Sequence, residues 1–191
     1  MQGGGGLNKI LILVAGMPGA GKTKFAEYFS KRLRFTLICK DRLKEILWNR
    51  LHYNTTIRSE SQKYGGLAYD LSFHFCKMLM QSDQPIIFES NFTEPCPEKL
   101  KEMVEEYGYR VITVLFGGDI AVIHQRFMER DKTQQRHPGL VSNNYFSDFE
   151  LFKNATKPCR NFSFGDVRIV VDTTDFSKVS YEDIIEQILH S

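Results

Sequence analysis

The sequence predicts an α/β fold in which helices cover both faces of a parallel sheet. Short apolar runs at residues 9–15, 34–39, 85–88, 110–116 and 168–172 alternate with stretches of helical periodicity. A glycine-rich segment separates the first run from the first helical stretch. The chain of 191 residues is 42% hydrophobic and 13% aromatic, which suits one globular domain with a sizeable core.

Each element follows from its own pattern. Residues 9–15 read as a buried strand, and Phe25, Ala26, Phe29 and Leu33 form the apolar face of a helix over 22–33. A second short strand over 34–39 ends at Lys40-Asp41, and a helix spans about 41–51. Tyr64, Leu67, Ala68, Leu71, Phe75, Met78 and Leu79 predict a long amphipathic helix over 59–81. The strand at 85–88 is closed by Glu89-Ser90-Asn91, and a helix over 97–107 precedes the strand at 110–116. Residues 119–130 are helical with Ile120, Ile123 and Phe127 inward. A polar and aromatic insert occupies 131–165, with a helix near 144–153. After the last strand, Ser180 is placed to cap a C-terminal helix.

Gly16, Met17, Pro18, Gly19, Ala20, Gly21, Lys22 and Thr23 spell G-x-x-x-x-G-K-T between a strand and a helix. Glycines at 16, 19 and 21 permit backbone angles closed to other residues, so successive N–H groups can converge on phosphate oxygens. The helix that follows adds unpaired donors and a positive end. Lys22 is expected to reach the β/γ-phosphate oxygens, and the Thr23 hydroxyl to ligate Mg²⁺.

In a parallel sheet ligands gather at the carboxyl ends of the strands, which makes the polar residues there candidates together. Asp41 is placed either to accept the proton of an attacking hydroxyl or to cap a helix. Lys44, one turn on, can sit beside a negatively charged substrate or pair with Asp41. Glu89 is placed to steady Mg²⁺, and Asn91 either touches phosphate or shapes the turn. Arg126 and Arg130 share a helix face, with Arg136 following, and mobile arginines there would offset charge on a moving phosphoryl group. The alternative for them is a solvated face paired with Asp119, Glu129 and Asp131. Residues 134–139 read as a lid, His137 as a lid or surface contact, and His124 as structural. Tyr145, Phe146, Phe149, Phe152, Phe162 and Phe164 favour core packing over substrate stacking.

Composition excludes other classes. Net charge is +2 without a basic tail or stripe, so non-specific duplex binding is not indicated. Cys39, Cys76, Cys96 and Cys159 lack a C-x-x-C pair and read as free thiols of a reducing, cytoplasmic protein. The Asn54, Asn91, Asn154 and Asn161 glycosylation patterns then have no use. No signal peptide or membrane-spanning run is visible; residues 1–6 read as a flexible leader to a single domain at 7–191.

With these residues in place the chain resembles the small P-loop kinases. Within them it is similar to the branch of polynucleotide 5′-kinases, zeta-toxin-like sugar-nucleotide kinases and chloramphenicol phosphotransferases. The resemblance runs from Lys9 to the last helix. It rests on the glycine loop, Cys39-Lys40-Asp41-Arg42-Leu43-Lys44, Ile86-Ile87-Phe88-Glu89-Ser90-Asn91, and Arg126-Phe127-Met128-Glu129-Arg130 with Arg136-His137-Pro138-Gly139. It implies a three-layer α/β/α sandwich with five parallel strands ordered 2-3-1-4-5. It also implies ATP with Mg²⁺, a hydroxyl-bearing acceptor, Asp41 as base, Arg126 and Arg130 in the lid, and Thr173-Thr174 near adenine. Polynucleotide kinases show Asp-x-x-Arg where this chain has Asp41-Arg42-Leu43-Lys44, and Lys does not grip phosphate bidentately as Arg does.

The expected function is therefore ATP- and Mg-dependent phosphoryl transfer to a small-molecule hydroxyl, by a monomer or homodimer that binds no membrane and for which nucleic acid is the less expected partner. The alternatives are a polynucleotide 5′-hydroxyl kinase and a non-catalytic nucleotide switch. No Asn-Lys-x-Asp guanine motif supports a GTPase.

Overall fold

The strand β1 (Ile10–Gly16) is buried at all seven positions, so it must lie inside a sheet covered on both sides. The computed structural model, which describes residues 8–93, 98–133, 136–141 and 146–191, places it there. The sheet order is β2-β3-β1-β4-β5, with β2 (Thr36–Cys39), β3 (Ile86–Glu89), β4 (Arg110–Gly117) and β5 (Val167–Asp172), and every pairing is parallel. The predicted fold class and strand order hold.

Side chains alternate across a strand, and β1 divides the core accordingly. Ile10, Ile12 and Val14 face a cluster with Phe25 and Phe29 of α1 (Lys22–Leu33), Ile123 and Phe127 of α5 (Ile120–Asp131), and Ile184, Ile185 and Ile188 of α8 (Tyr181–His190). Leu11, Leu13 and Ala15 face Cys76 and Met80 of α3 (Arg58–Met80) and Leu100 and Met103 of α4 (Glu98–Tyr107). Between β2 and α3 lies α2 (Lys40–Leu51), which has no fully buried residue and forms one wall of a cleft. Asp119 and Ser180 cap α5 and α8 by accepting from Val122 N and Asp183 N.

Two expectations need correction. The buried line of α3 is Ala68, Ser72, Cys76 and Met80, whereas Leu67, Phe75 and Met78 of the predicted stripe are exposed. The helix is apolar over too wide an arc for its sequence to say which edge faces the sheet. In the insert, the helix starts later than predicted. Asp148 accepts from Leu151 N at 2.8 Å and opens α6 (Phe149–Ala155), followed by a short α7 (Lys157–Arg160). Positions 144 and 145 lie outside the described residues, as do the leader, Pro97, Cys96, Gln134 and Gln135.

The second half of the insert is core. Phe152 and Phe162 are fully buried, and Phe162 stacks on Phe92 with ring centroids 4.7 Å apart. Core packing of the aromatics is thus borne out for these two, while Phe149 sits near the surface. Cys39, Cys76 and Cys159 are buried free thiols, and no described helix is long and apolar enough to cross a membrane.

Phe162→Ala is expected to lower the unfolding free energy by about 3–5 kcal/mol, the range for deleting a buried aromatic ring. Urea denaturation measures this, and a loss below about 1 kcal/mol would show that the segment does not contribute to the core.

Candidate active site

The glycine loop leaves β1 pressed against β4. Gly16 has φ +129°, and a Cβ there would fall 2.0 Å from the Phe116 carbonyl oxygen of β4. Gly19 and Gly21, at φ +90° and +89°, turn the chain back to the start of α1. Met17 and Ala20 are fully buried, so their side chains anchor the loop while its backbone and Pro18, Gly19 and Gly21 face the cleft.

Lys22 is 6% exposed. Its Nζ donates to Met17 O at 2.9 Å and to Asn91 Oδ1 at 2.8 Å, with Glu89 Oε1 at 4.0 Å. Burial lowers the ammonium pKa, and the nearby Glu89 and Asp41 carboxylates only partly restore it. Glu89 receives the Cys39 thiol at 2.9 Å and the Thr23 hydroxyl at 3.4 Å on one oxygen. Burial raises its carboxyl above the usual range, opposed chiefly by Lys22.

Asp41 lies in the first turn of α2, whose cap position is Cys39, so Asp41 is not the cap residue. Its carboxylate lines the cleft and accepts from Lys40 Nζ at 3.0 Å. Burial alone would raise it, but Lys40, seconded by Lys22 and Arg136, holds it well below the ordinary carboxylate range. The Asp41–Lys44 pairing considered from helical spacing does not form: Lys44 Nζ donates to Ser61 Oγ at 2.8 Å.

Across the cleft, Arg126 is bonded to the turn after β5. Its guanidinium donates to the Thr173 and Thr174 carbonyls and lies 4.3 Å from the Phe176 ring centroid. The Thr173 side chain is turned inward, its hydroxyl donating to Gly117 O at 2.9 Å, so Phe176 and not Thr173 lines the cleft. Phe176 packs close enough to Gly21 that a Cβ on the glycine would meet its ring at 2.7 Å. Sequence reasoning missed Phe176 because one exposed aromatic after the last strand carries no pattern. Arg130 lines the cleft one turn beyond Arg126.

Arg136 pairs with Asp131 at 3.3 Å and donates to Leu140 O at 3.1 Å. A 3-10 turn, Pro138–Leu140, docks on α2: Gly139 is buried against Trp48, Tyr53 Oη donates to its carbonyl at 3.3 Å, and His137 Nε2 meets Asn49 Oδ1 at 3.1 Å. His137 thus contacts α2 through Asn49 and the Trp48 ring. His124 is held by Phe146 O at 2.7 Å and by Phe152, a structural position. The cleft encloses about 1110 Å³, enough for two reactants.

The fold and the loop define a class: a P-loop protein on the architecture of the small kinases. A family described as AAA domain matches residues 11–150, and the chain belongs to it. L-seryl-tRNA(Sec) kinase of Methanococcus maripaludis is 21% identical over 181 residues, covering 94% of this chain. The chain spans 65% of that relative's length. A proposed kinase from Chloroflexus aurantiacus J-10-fl has a TM-score of 0.79 at 24% identity over 96% of both chains. Shikimate kinase from Bacteroides thetaiotaomicron has a TM-score of 0.58 at 14% identity, covering 94% of this chain and 96% of its own. The two solved structures share the fold.

Gly139→Ala is expected to lift the 3-10 turn off α2, since the new Cβ would lie 2.7 Å from that of Trp48. Trp48 is the single tryptophan, so its emission should move to longer wavelength and quench more readily with acrylamide. Unchanged fluorescence would show that the turn absorbs the methyl group in place.

Proposed function

We propose that this chain is an ATP- and Mg-dependent kinase that transfers the γ-phosphoryl group to a small-molecule hydroxyl. The observation that carries the reading is the meeting, in one cleft, of the glycine loop with Lys22, the Thr23–Glu89 pair and the Asp41 carboxylate. Residues 7–191 would act as one domain, with the lid function confined to the segment around 131–141.

The donors fit the groups implied. A hydroxyl and a carboxylate 3.4 Å apart are hard oxygen ligands of the kind Mg²⁺ takes, often through its own waters. Bound there, Mg²⁺ would neutralise charge on the β- and γ-phosphates. The residues of the chain do the rest. Loop amides cradle the phosphates, and Lys22 exchanges its Met17 and Asn91 oxygens for phosphate oxygens. Arg130 faces the transferred group, while the Arg126–Phe176 stack offers planar surfaces for a base. Asp41 accepts the hydrogen bond of the acceptor hydroxyl and aims its oxygen at the γ-phosphorus. That oxygen forms the new P–O bond as the bond to the bridging oxygen breaks; ADP leaves with the electron pair and the hydroxyl proton passes to Asp41 and then solvent. A carboxylate so strongly stabilised by Lys40 is a weak base, so Asp41 orients first and takes the proton late.

The name of the Methanococcus maripaludis relative, L-seryl-tRNA(Sec) kinase, supports the phosphoryl-transfer reading. In the second reading the acceptor is a polynucleotide 5′-hydroxyl. Lys44 and the lid turn seated on α2 favour a compact molecule instead.

Lys22→Ala is expected to abolish ATP binding by calorimetry. Asp41→Asn should keep Mg-ATP affinity within about twofold and lose on the order of a hundredfold or more in turnover. Normal turnover in the Asp41 variant removes it as the orienting base, and phosphorylation of a 5′-hydroxyl oligonucleotide by the wild type would select the second reading.

A further inference from the structure

Most of the charges around Asp41 are paired. Lys40 pairs with Asp41 at 3.0 Å, Arg42 with Glu27 at 2.8 Å and Glu45 at 3.0 Å, and Arg136 with Asp131 at 3.3 Å. Among the described residues Lys44 has no ion pair there, only the Ser61 hydroxyl at 2.8 Å. Its half-buried side chain lines the cleft with Asp41, Ser61 and Arg136. A solvated surface lysine would lie in neither place.

We propose that the acceptor is an alcohol bearing a second, anionic group, a carboxylate or a phosphate ester, which seats on Lys44 of α2 beside Ser61 of α3 and Arg136 of the lid. Resting on the kinase reading above, this deepens it by naming the substrate class. Lys44 follows Asp41 by one helical turn, so the two side chains stand about 5–6 Å apart at their Cβ atoms. An anion on Lys44 and a hydroxyl on Asp41 therefore belong to one compact molecule, separated by a few bonds. The local field agrees: burial, then the Lys40 and Arg136 cations, bring the Lys44 ammonium down to about 8, with Asp41 only partly opposing. Lys44 is an ammonium in this end of the cleft without a carboxylate partner, and an anionic group on a ligand would be drawn in and held there. The carboxylates that could have supplied it, Glu27 and Glu45, are both engaged by Arg42.

Two measurements test this. In the first, inorganic sulfate is titrated calorimetrically into the protein saturated with Mg²⁺ and a non-hydrolysable ATP analogue, which fills the loop and leaves the acceptor end open. Wild type should bind one sulfate, and Lys44→Gln should weaken it about tenfold or more, the scale of one charge-assisted hydrogen bond. Lys44→Arg should retain it, and analogue affinity should stay constant in both variants. No sulfate binding in the wild type, or equal binding in Lys44→Gln, overturns the proposal. The second measurement needs no variant: ADP formation is followed with neutral polyols, the matching sugar acids and the matching sugar phosphates. Stimulation by the acids or the phosphates supports the proposal and tells which anion is used, whereas equal or greater stimulation by the neutral polyols overturns it. Loss of analogue binding, or sulfate binding without transfer to any acceptor, counts against the kinase reading and is distinguishable from both.

Discussion

A buried ammonium group holds the site together. Removing Lys22 from water is costly unless its charge is compensated, and here Met17 and Asn91 oxygens accept two hydrogen bonds while the Glu89 carboxylate lies 4.0 Å away. These oxygens come from two places, the glycine loop after β1 and the end of β3. The parallel register that sets Val14 opposite Glu89 brings them together. The sheet pairing therefore decides the electrostatics of the cleft, and the Lys22 contacts tie the glycine loop to the end of β3.

Much of this was legible in the residues. The first helix runs over the positions its periodicity implied, Lys22–Leu33, and Glu89 and Asn91 stand at the end of a strand whose apolar run announced it. The glycines at 16, 19 and 21 adopt the positive φ that their loop requires. What stayed hidden depends on rotamers and on distant chain segments. Lys40 and Asp41 are neighbours in sequence, yet nothing in a dipeptide says that its side chains will pair. Arg126 looked free to swing because the carbonyls that pin it belong to residues almost fifty positions later. The contact of Gly139 with Trp48 is likewise a tertiary event without a periodic signature.

The insert between α5 and β5 has two natures. Its first part reaches over the cleft and rests on α2 through a buried glycine, an aromatic edge and single hydrogen bonds, the kind of contact that opens at little cost. Its second part contributes fully buried rings to both core clusters. Phe152 and Phe162 thus tie the second part of the insert to the core, while the first part rests on α2 by few contacts.

The sheet order has a further consequence. β1, which feeds the phosphate loop, is the middle strand, whereas β2, the short strand that delivers Lys40 and Asp41, lies at the margin with a neighbour on one side only. Substitutions at a margin disturb fewer packed partners than those at a centre. Selection can therefore rewrite the residues that β2 delivers while leaving the glycine loop after β1 untouched, and one scaffold can vary its cleft from the outside inward.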